Sequence, residues 1–175
     1  IQLGLIHVAS AQQPMIAGSQ RATFAVDSTG QLWGWGSDLY GELGQGRDSG
    51  RVLPKQTTLE RYSDVAMGEG HTLAISRDAT LYAWGGNARG QLGDGTTQTR
   101  GTPIVVGSGY RQVATYRYSS FGIKRDGSLW AWGSNANGQL GDGTLTSRER
   151  PVFIGGGYQT IAASADCTLA IKTDA

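Results

Sequence analysis

Few residues of this chain carry side chains able to do chemistry. His7 and His71 are the two groups that titrate near neutral pH, Cys167 is the single thiol, and Asp94 and Asp142 recur in Gly-Asp-Gly steps. The stretch LWAWGSNANGQLGDGT, from Leu129 to Thr144, has glycines that would suit a phosphate and tryptophans that would suit a base or a sugar. Each chemistry fails on pattern. No Gly-x-Ser-x-Gly, phosphate-binding loop, His-Glu-x-x-His or Cys-x-x-Cys occurs. A metal site needs several converging ligands, and two isolated histidines do not supply them. Carboxylates among glycine turns suggest a calcium cage, but the spacing does not match a calcium loop. Asp94 and Asp142 instead read as Asx-type turns, the carboxylate accepting from nearby backbone N–H groups. Cys167, in CTLAI, reads as a small buried hydrophobe. The expectation is no enzyme, no metal and no cofactor.

Those residues must be positioned by a scaffold, and composition narrows it. The chain has 175 residues, 28 glycines and a formal charge of +1. That length suits one compact domain, residues 1–175. The balanced charge gives no electrostatic footprint for nucleic acid or an acidic membrane surface. No apolar run approaches the roughly 18 residues of a spanning helix. The chain starts at Ile1 without an initiator Met, as a processed chain or a piece of a longer one would.

Self-similarity gives the scaffold. LWGWGSDLYGELGQG from Leu32, LYAWGGNARGQLGDG from Leu81 and LWAWGSNANGQLGDG from Leu129 align without gaps, in steps of 49 and 48 residues. TFAVDSTG, TLAISRDA, SFGIKRDG and TLAIKTDA precede or follow them in register, and the runs at Ile16, Val65, Val113 and Ile161 align upstream. Pro54, Pro103 and Pro151 match as well. Each period thus holds four short alternating runs, which predicts half-buried strands joined by glycine turns. The repeats run approximately 1–49, 50–98, 99–146 and an incomplete 147–175. Four strands per period predict an all-β fold of β-propeller blades, each of four antiparallel strands, about three and a half repeats in all. Trp35, Trp84 and Trp132 share one repeat position, and Trp33, Tyr82 and Trp130 another, two residues earlier. Residues two apart face the same side of a strand, so both sets are expected to be structural, filling the space between blades.

The Trp-Gly-x-Asn-x-x-Gly-Gln-Leu-Gly-Asp-Gly-Thr runs at 84–96 and 132–144, the degenerate copy from Trp35, and the Gly-x-x-His-Thr-Leu-Ala-Ile segment at 68–75 resemble the regulator of chromosome condensation repeat family. The resemblance covers nearly the whole chain and implies a closed propeller, typically seven-bladed. Three or four blades rarely close a ring, which leaves a partial propeller, or half of a ring completed by self-association with a second chain. The family includes a plant ultraviolet-B photoreceptor whose sensing tryptophans precede the TLAI-type strand. The equivalent slots here hold Gln20, Glu69, Arg117 and Ala165, so that function does not carry over.

If the consensus builds the scaffold, function is expected where copies disagree. They disagree most at the turn before each TLAI-type strand, which would display Gln20, Arg21, Glu69, His71, Tyr116, Arg117, Tyr118 and Asp166 on one rim. His71 sits at the family's usual His position, where packing is its ordinary role. Tyr and Arg are enriched at binding hot spots, which singles out Tyr116-Arg117-Tyr118. The links after each Gly-rich loop carry Arg47, Arg51, Arg100, Arg148 and Arg150 and are expected to line the other rim. The functional expectation is a non-enzymatic scaffold that binds a protein partner on its variable rim. Two alternatives remain: a guanine-nucleotide exchange-like regulator of a small GTPase, and a carbohydrate or cell-surface binding module using Tyr116 and Tyr118 as stacking platforms.

Overall fold

A computed structural model of the chain describes residues 15–46, 50–163 and 168–172. Thirteen strands and no helix are found among them. They are β1 (Met15–Gly18), β2 (Ala22–Val26), β3 (Gln31–Gly36), β4 (Arg51–Met67), β5 (His71–Ser76), β6 (Thr80–Gly85), β7 (Arg100–Ser108), β8 (Tyr110–Tyr116), β9 (Ser119–Lys124), β10 (Leu129–Gly133), β11 (Arg148–Gly155), β12 (Tyr158–Ala163) and β13 (Thr168–Lys172).

Every pairing is antiparallel and every partner is the next strand in sequence, so each blade is a meander. Blade one is β1, β2, β3 and the first part of β4, which pairs with β3 from Arg51 to Arg61. The same strand then pairs with β5 from Tyr62 to Met67 and so becomes the inner strand of blade two, completed by β6 and β7. Blade three is β8–β11, and β12 and β13 form the described part of a fourth. The inner strands β1, β4, β8 and β12 are neighbours in succession. A sequence repeat therefore opens on the outer strand of one blade and closes inside the next.

The core lies in layers between blades. Phe24, Leu32 and Leu43 of blade one meet Tyr62, Val65 and Trp84 of blade two. Leu73, Leu81 and Leu92 of blade two meet Tyr110, Val113 and Trp132 of blade three. Phe121, Ile123 and Leu140 of blade three meet Ile161. This placement changes one expectation. In blade one β2 alternates, with Ala22, Phe24 and Val26 buried and Thr23 and Ala25 half-buried. In blade two β5 is buried at all six positions. A blade with a neighbour on each side has both faces covered, so its central strand loses the solvent face that period-two alternation assumes.

The repeated tryptophans fasten one blade to the one before. Trp84 is fully buried, and its Nε1 donates to the Glu42 carbonyl at 2.7 Å. The Thr72 hydroxyl donates to that same carbonyl at 2.9 Å. One blade on, Trp132 Nε1 and Ser120 Oγ donate to the Gln91 carbonyl at 2.9 and 2.7 Å. The indole edges lie on glycines: a Cβ on Gly44 would stand 2.9 Å from Trp84 Nε1, and one on Gly93 2.8 Å from Trp132 Nε1. Trp35, at the same repeat position in blade one, is only half-buried. Of the ring set two residues earlier, Tyr82 and Trp130 pack at the margins of the same layers. Tyr82 stands edge-on to Tyr62, Trp130 stands edge-on to Phe153, and Trp33 donates to Asp27 at 3.0 Å.

Truncating a buried Trp costs about 3–5 kcal/mol. Trp132→Ala is therefore expected to lower unfolding stability by about that amount, and Trp35→Ala by less than half as much. Denaturant titration followed by far-ultraviolet circular dichroism checks this, and equal losses would contradict the role given to Trp132.

Candidate functional site

The turns that differ between repeats come together at one end of the blades. A cleft of about 400 Å³ is lined by Ser19, Gln20 and Arg21 from blade one, Met67 to Gly70 from blade two, and Thr115, Tyr116 and Arg117 from blade three. Gln20, Arg21, Glu69, Arg117 and Tyr118 are exposed and Tyr116 is half-buried. The walls are fixed by backbone. Glu69 N–H donates to the Arg117 carbonyl at 2.8 Å, tying the turn of blade two to that of blade three. Arg117 takes a positive φ of 45°, uncommon for a side chain of its size, and its guanidinium lies 5.7 Å from the centre of the Tyr116 ring. The Tyr118 hydroxyl is pushed above its ordinary pKa by partial burial and then by the Glu69 carboxylate beside it. Asp166 lies outside the described residues, as do Ala165, His7, Arg47 and Cys167.

His71 belongs elsewhere. It is fully buried, and its Nε2 lies 3.0 Å from Ser120 Oγ, the hydroxyl that bonds to the Gln91 carbonyl. Burial lowers its pKa to about 3, so the ring is neutral. It sits inside the layer between blades two and three, not on the rim surface.

Two further groups, Tyr40 at this end and Asp64 partway along the inner strand β4, were not singled out by the turn comparison. Tyr40 rests on Gly70, where a Cβ would stand 2.6 Å from its ring. Its signal was present, since the copies read Tyr40, Arg89 and Asn137 at that position, but it lay inside a run whose glycines and leucine looked uniform. Asp64 bridges inner strands: its carboxylate accepts from Val113 N–H at 2.8 Å and Val65 N–H at 3.0 Å. Burial pushes its pKa up to about 6, against the lowering effect of those two bonds. Gln112 does the equivalent work one blade on, bonding to Thr160 and Ile161.

The arginine links do not form the opposite rim. Gly85 pairs with Arg100 on one side and His71 on the other, and Gly133 likewise pairs with Arg148 and Ser119. The link after the third strand thus leaves the blade at the same end as the variable turn, as an up-and-down meander requires. The far end carries the short hairpins through Gly30, Ala79 and Gly127. Two of these arginines are held in ion pairs. Arg100 pairs with Asp94 at 2.9 Å, and Arg148 with Asp142 at 2.7 Å.

Those aspartates are occupied within their own loops. Asp94 accepts from Thr96 N–H and Oγ1 at 3.0 and 2.7 Å and from Asn87 Nδ2 at 3.1 Å. Asp142 accepts from Thr144 and Asn135 in the same way. In the first copy Gln45 replaces the aspartate and donates to the carbonyls of Gln56 and Thr57. No group of three or more potential metal ligands occurs among the described residues.

With this geometry in place, comparison with known proteins decides the family. The profile described as "Regulator of chromosome condensation (RCC1) repeat" matches residues 29–75, 78–115 and 126–171. The chain belongs to the RCC1 repeat family. A second profile of the same description matches 62–91 and 110–139. Human WBSCR16 superimposes with a TM-score of 0.82 at 22% identity, over 93% of this chain and 47% of that one. Prp20p of Saccharomyces cerevisiae, whose structure was described together with its binding to Gsp1p and histones, gives 0.81 at 20% identity, over 91% and 44%. The ultraviolet-B receptor UVR8 of Arabidopsis thaliana is 41% identical over 61 residues, 33% of this chain and 14% of that protein. The chain spans less than half the length of these RCC1-type relatives. Like them at the level of fold, it is a set of β-propeller blades, here a partial propeller.

Asp64 and His71 give these blades a pH signature. A carboxyl raised from 3.8 to about 6 binds a proton in the folded state that the unfolded chain lacks between those values. Its charge therefore destabilises the fold above pH 6, and that penalty fades as pH falls toward 4. His71, lowered from 6.5 to about 3, works in the opposite sense, its contribution being lost as pH falls below 6.5. Asp64→Asn keeps an oxygen for Val113 and removes the charge. It is expected to be more stable than the parent at pH 7 by on the order of 1–3 kcal/mol, the margin closing by pH 4. His71 is common to both proteins and cancels in the difference. A pH-independent margin in thermal unfolding would contradict the assignment.

Proposed function

We propose that this chain is a non-enzymatic scaffold that binds a protein partner on the rim formed by its variable turns. One observation carries the reading. The side chains that recur between blades are consumed by the scaffold, in interblade layers, capped loops and two Asp–Arg pairs, whereas the three described turns that differ meet in one cleft. That cleft offers the Tyr116 ring, two arginines and one carboxylate on locked backbone. Such groups give large contact area at small ordering cost. Asp64 and His71, whose pKa values are strongly shifted, are bonded between blades, so neither is offered to a substrate.

Prp20p, which shares this fold, was described for binding Gsp1p and histones. At 20% identity it speaks for the fold alone. Exchange activity on a GTPase is therefore tested directly, as is glycan binding through the two tyrosines.

The test is quantitative affinity capture from the native host with three proteins: the parent, Arg117→Ala/Tyr118→Ala on the rim, and Arg125→Ala/Asp126→Ala at the far end. A specific partner is expected to fall by tenfold or more with the rim variant and to stay within twofold with the far-end variant. Equal capture by all three would overturn the assignment to the rim. Accelerated release of labelled GDP from any small GTPase in a panel would replace the scaffold reading with the exchange reading. A glycan-array signal abolished by Tyr118→Ala would replace it with the carbohydrate reading.

A further inference from the structure

The variable-turn cleft has a charge balance of its own. Arg21 enters it from blade one and Arg117 from blade three, with the blade-two turn Gly68-Glu69-Gly70 between them. Among the described residues neither arginine lies within ion-pair distance of a carboxylate, the ion pairs there being Arg100–Asp94 and Arg148–Asp142. The carboxylate of the cleft wall, Glu69, sits beside the Tyr118 hydroxyl. Two guanidiniums against one carboxylate leave a positive charge unmatched.

The arginines are held in place. Ser19 Oγ accepts from Arg21 N–H at 3.3 Å and Ala22 N–H at 3.2 Å, and Ser19 N–H donates to the Ala22 carbonyl at 2.9 Å. Those bonds close the turn that carries Arg21. Arg117 is tied through its carbonyl to Glu69 N–H, and its guanidinium lies over the Tyr116 ring. A guanidinium resting on a ring keeps its N–H edge for a planar acceptor. The scaffold also keeps the space between the arginines open. Gly68 and Gly70 add no side chain to the wall, and neither position accepts one. A Cβ on Gly68 would stand 2.5 Å from His71 Nδ1 and 2.6 Å from the Arg117 carbonyl, and Gly70 takes a φ of 80°.

We propose that the cleft receives a carboxylate side chain from an acidic segment of the partner, seated between Arg21 and Arg117. The proposal rests on the assignment of the partner to the rim and names the chemistry recognised at that same site. Charge favours a carboxylate over a phosphate. A single negative charge balances the cleft, whereas the nearly doubled charge of a phosphoryl group would also face Glu69. The two oxygens of a carboxylate match the fork of a guanidinium as well. A ledge beside the cleft sets the neighbouring residue. Leu39, Tyr40 and Tyr118 are all exposed there, with Tyr40 near Tyr118. An apolar residue next to the acid covers that ledge.

The probe is a random dodecapeptide display library selected on the whole chain. Selections on Arg21→Gln/Arg117→Gln, on Tyr116→Ala/Tyr118→Ala and on the far-end variant Arg125→Gln run beside it. Enriched peptides are expected to share Asp or Glu next to an apolar residue. The arginine variant should lose that consensus and the far-end variant should keep it. The enriched peptide is then synthesised with a fluorescein label and titrated with the parent chain by fluorescence anisotropy. Changing its acid to the amide should weaken binding by about tenfold or more, and added salt should weaken the acid peptide more than the amide. That comparison does not depend on a variant folding. Peptides without an acid that are lost on the tyrosine variant would overturn the carboxylate and leave the rim assignment standing. Peptides that bind the arginine and tyrosine variants as well as the parent would sink both. An amide peptide as tight as the acid, a phosphoserine peptide tighter than either, or a library that enriches nothing would each overturn the proposal.

Discussion

A single backbone carbonyl per loop, that of Glu42 or Gln91, receives a tryptophan N–H and a hydroxyl from the next blade. Much else in the structure depends on that bond pair. It fixes how far a blade turns from its neighbour, because the indole can reach the carbonyl only if the two sheets face each other at one separation. It also requires the glycines beneath the ring, since any Cβ at Gly44 or Gly93 would occupy the indole's place. The Glu42 and Gln91 side chains turn back to accept from Tyr40 and Arg89 N–H groups, so the loop is stiff before the ring arrives. A buried amide carbonyl left without donors costs about 1–3 kcal/mol. The two donors thus join packing and polar satisfaction at one point.

His71 extends this arrangement. By bonding to Ser120, it lengthens the chain from Gln91 carbonyl to hydroxyl to imidazole, all within one layer. Keeping the ring neutral is the condition for its burial, which is why its pKa is held down. Asp64 makes the opposite choice, carrying a raised pKa to bond to the inner strand of the next blade. The rim is then rigid for reasons that lie beneath it. The turns of blades two and three are joined at Glu69 and Arg117, beside the buried His71 ring.

The fold was legible in the sequence because a period of 48–49 residues forces the same local solution on each copy. The roles of Trp84, Trp132, Asp94 and Asp142 followed from recurrence together with elementary strand and turn geometry. What recurrence hid was direction. Strand alternation says which residues share a face but not that both faces of β5 are covered, which depends on a blade lying on either side. Likewise the arginine links look like a separate rim until the count of reversals within a blade brings them back to the turn end. Tyr62, Tyr110 and Tyr158 recur at the entry of successive blades as regularly as the tryptophans. They were inconspicuous because no Gly-rich run flags them, and their burial comes only with the neighbouring layer. At the site, disagreement between copies found the cleft-lining turns, but it could not separate surface from interior. His71 differs from its counterparts because it is packed, Arg117 because it is displayed.

The seventeen-residue strand β4 has a mechanical meaning. Its first part is hydrogen-bonded to β3 and its last part to β5, with no loop between to absorb displacement. Peeling the outer edge of blade one therefore pulls directly on the innermost strand of blade two. In a linear array of repeats, stability is a sum of unit terms and neighbour couplings, and a shared strand places much of the coupling in covalent backbone. Blades one and two form one cooperative block, which would open under load as a single step and not one blade at a time.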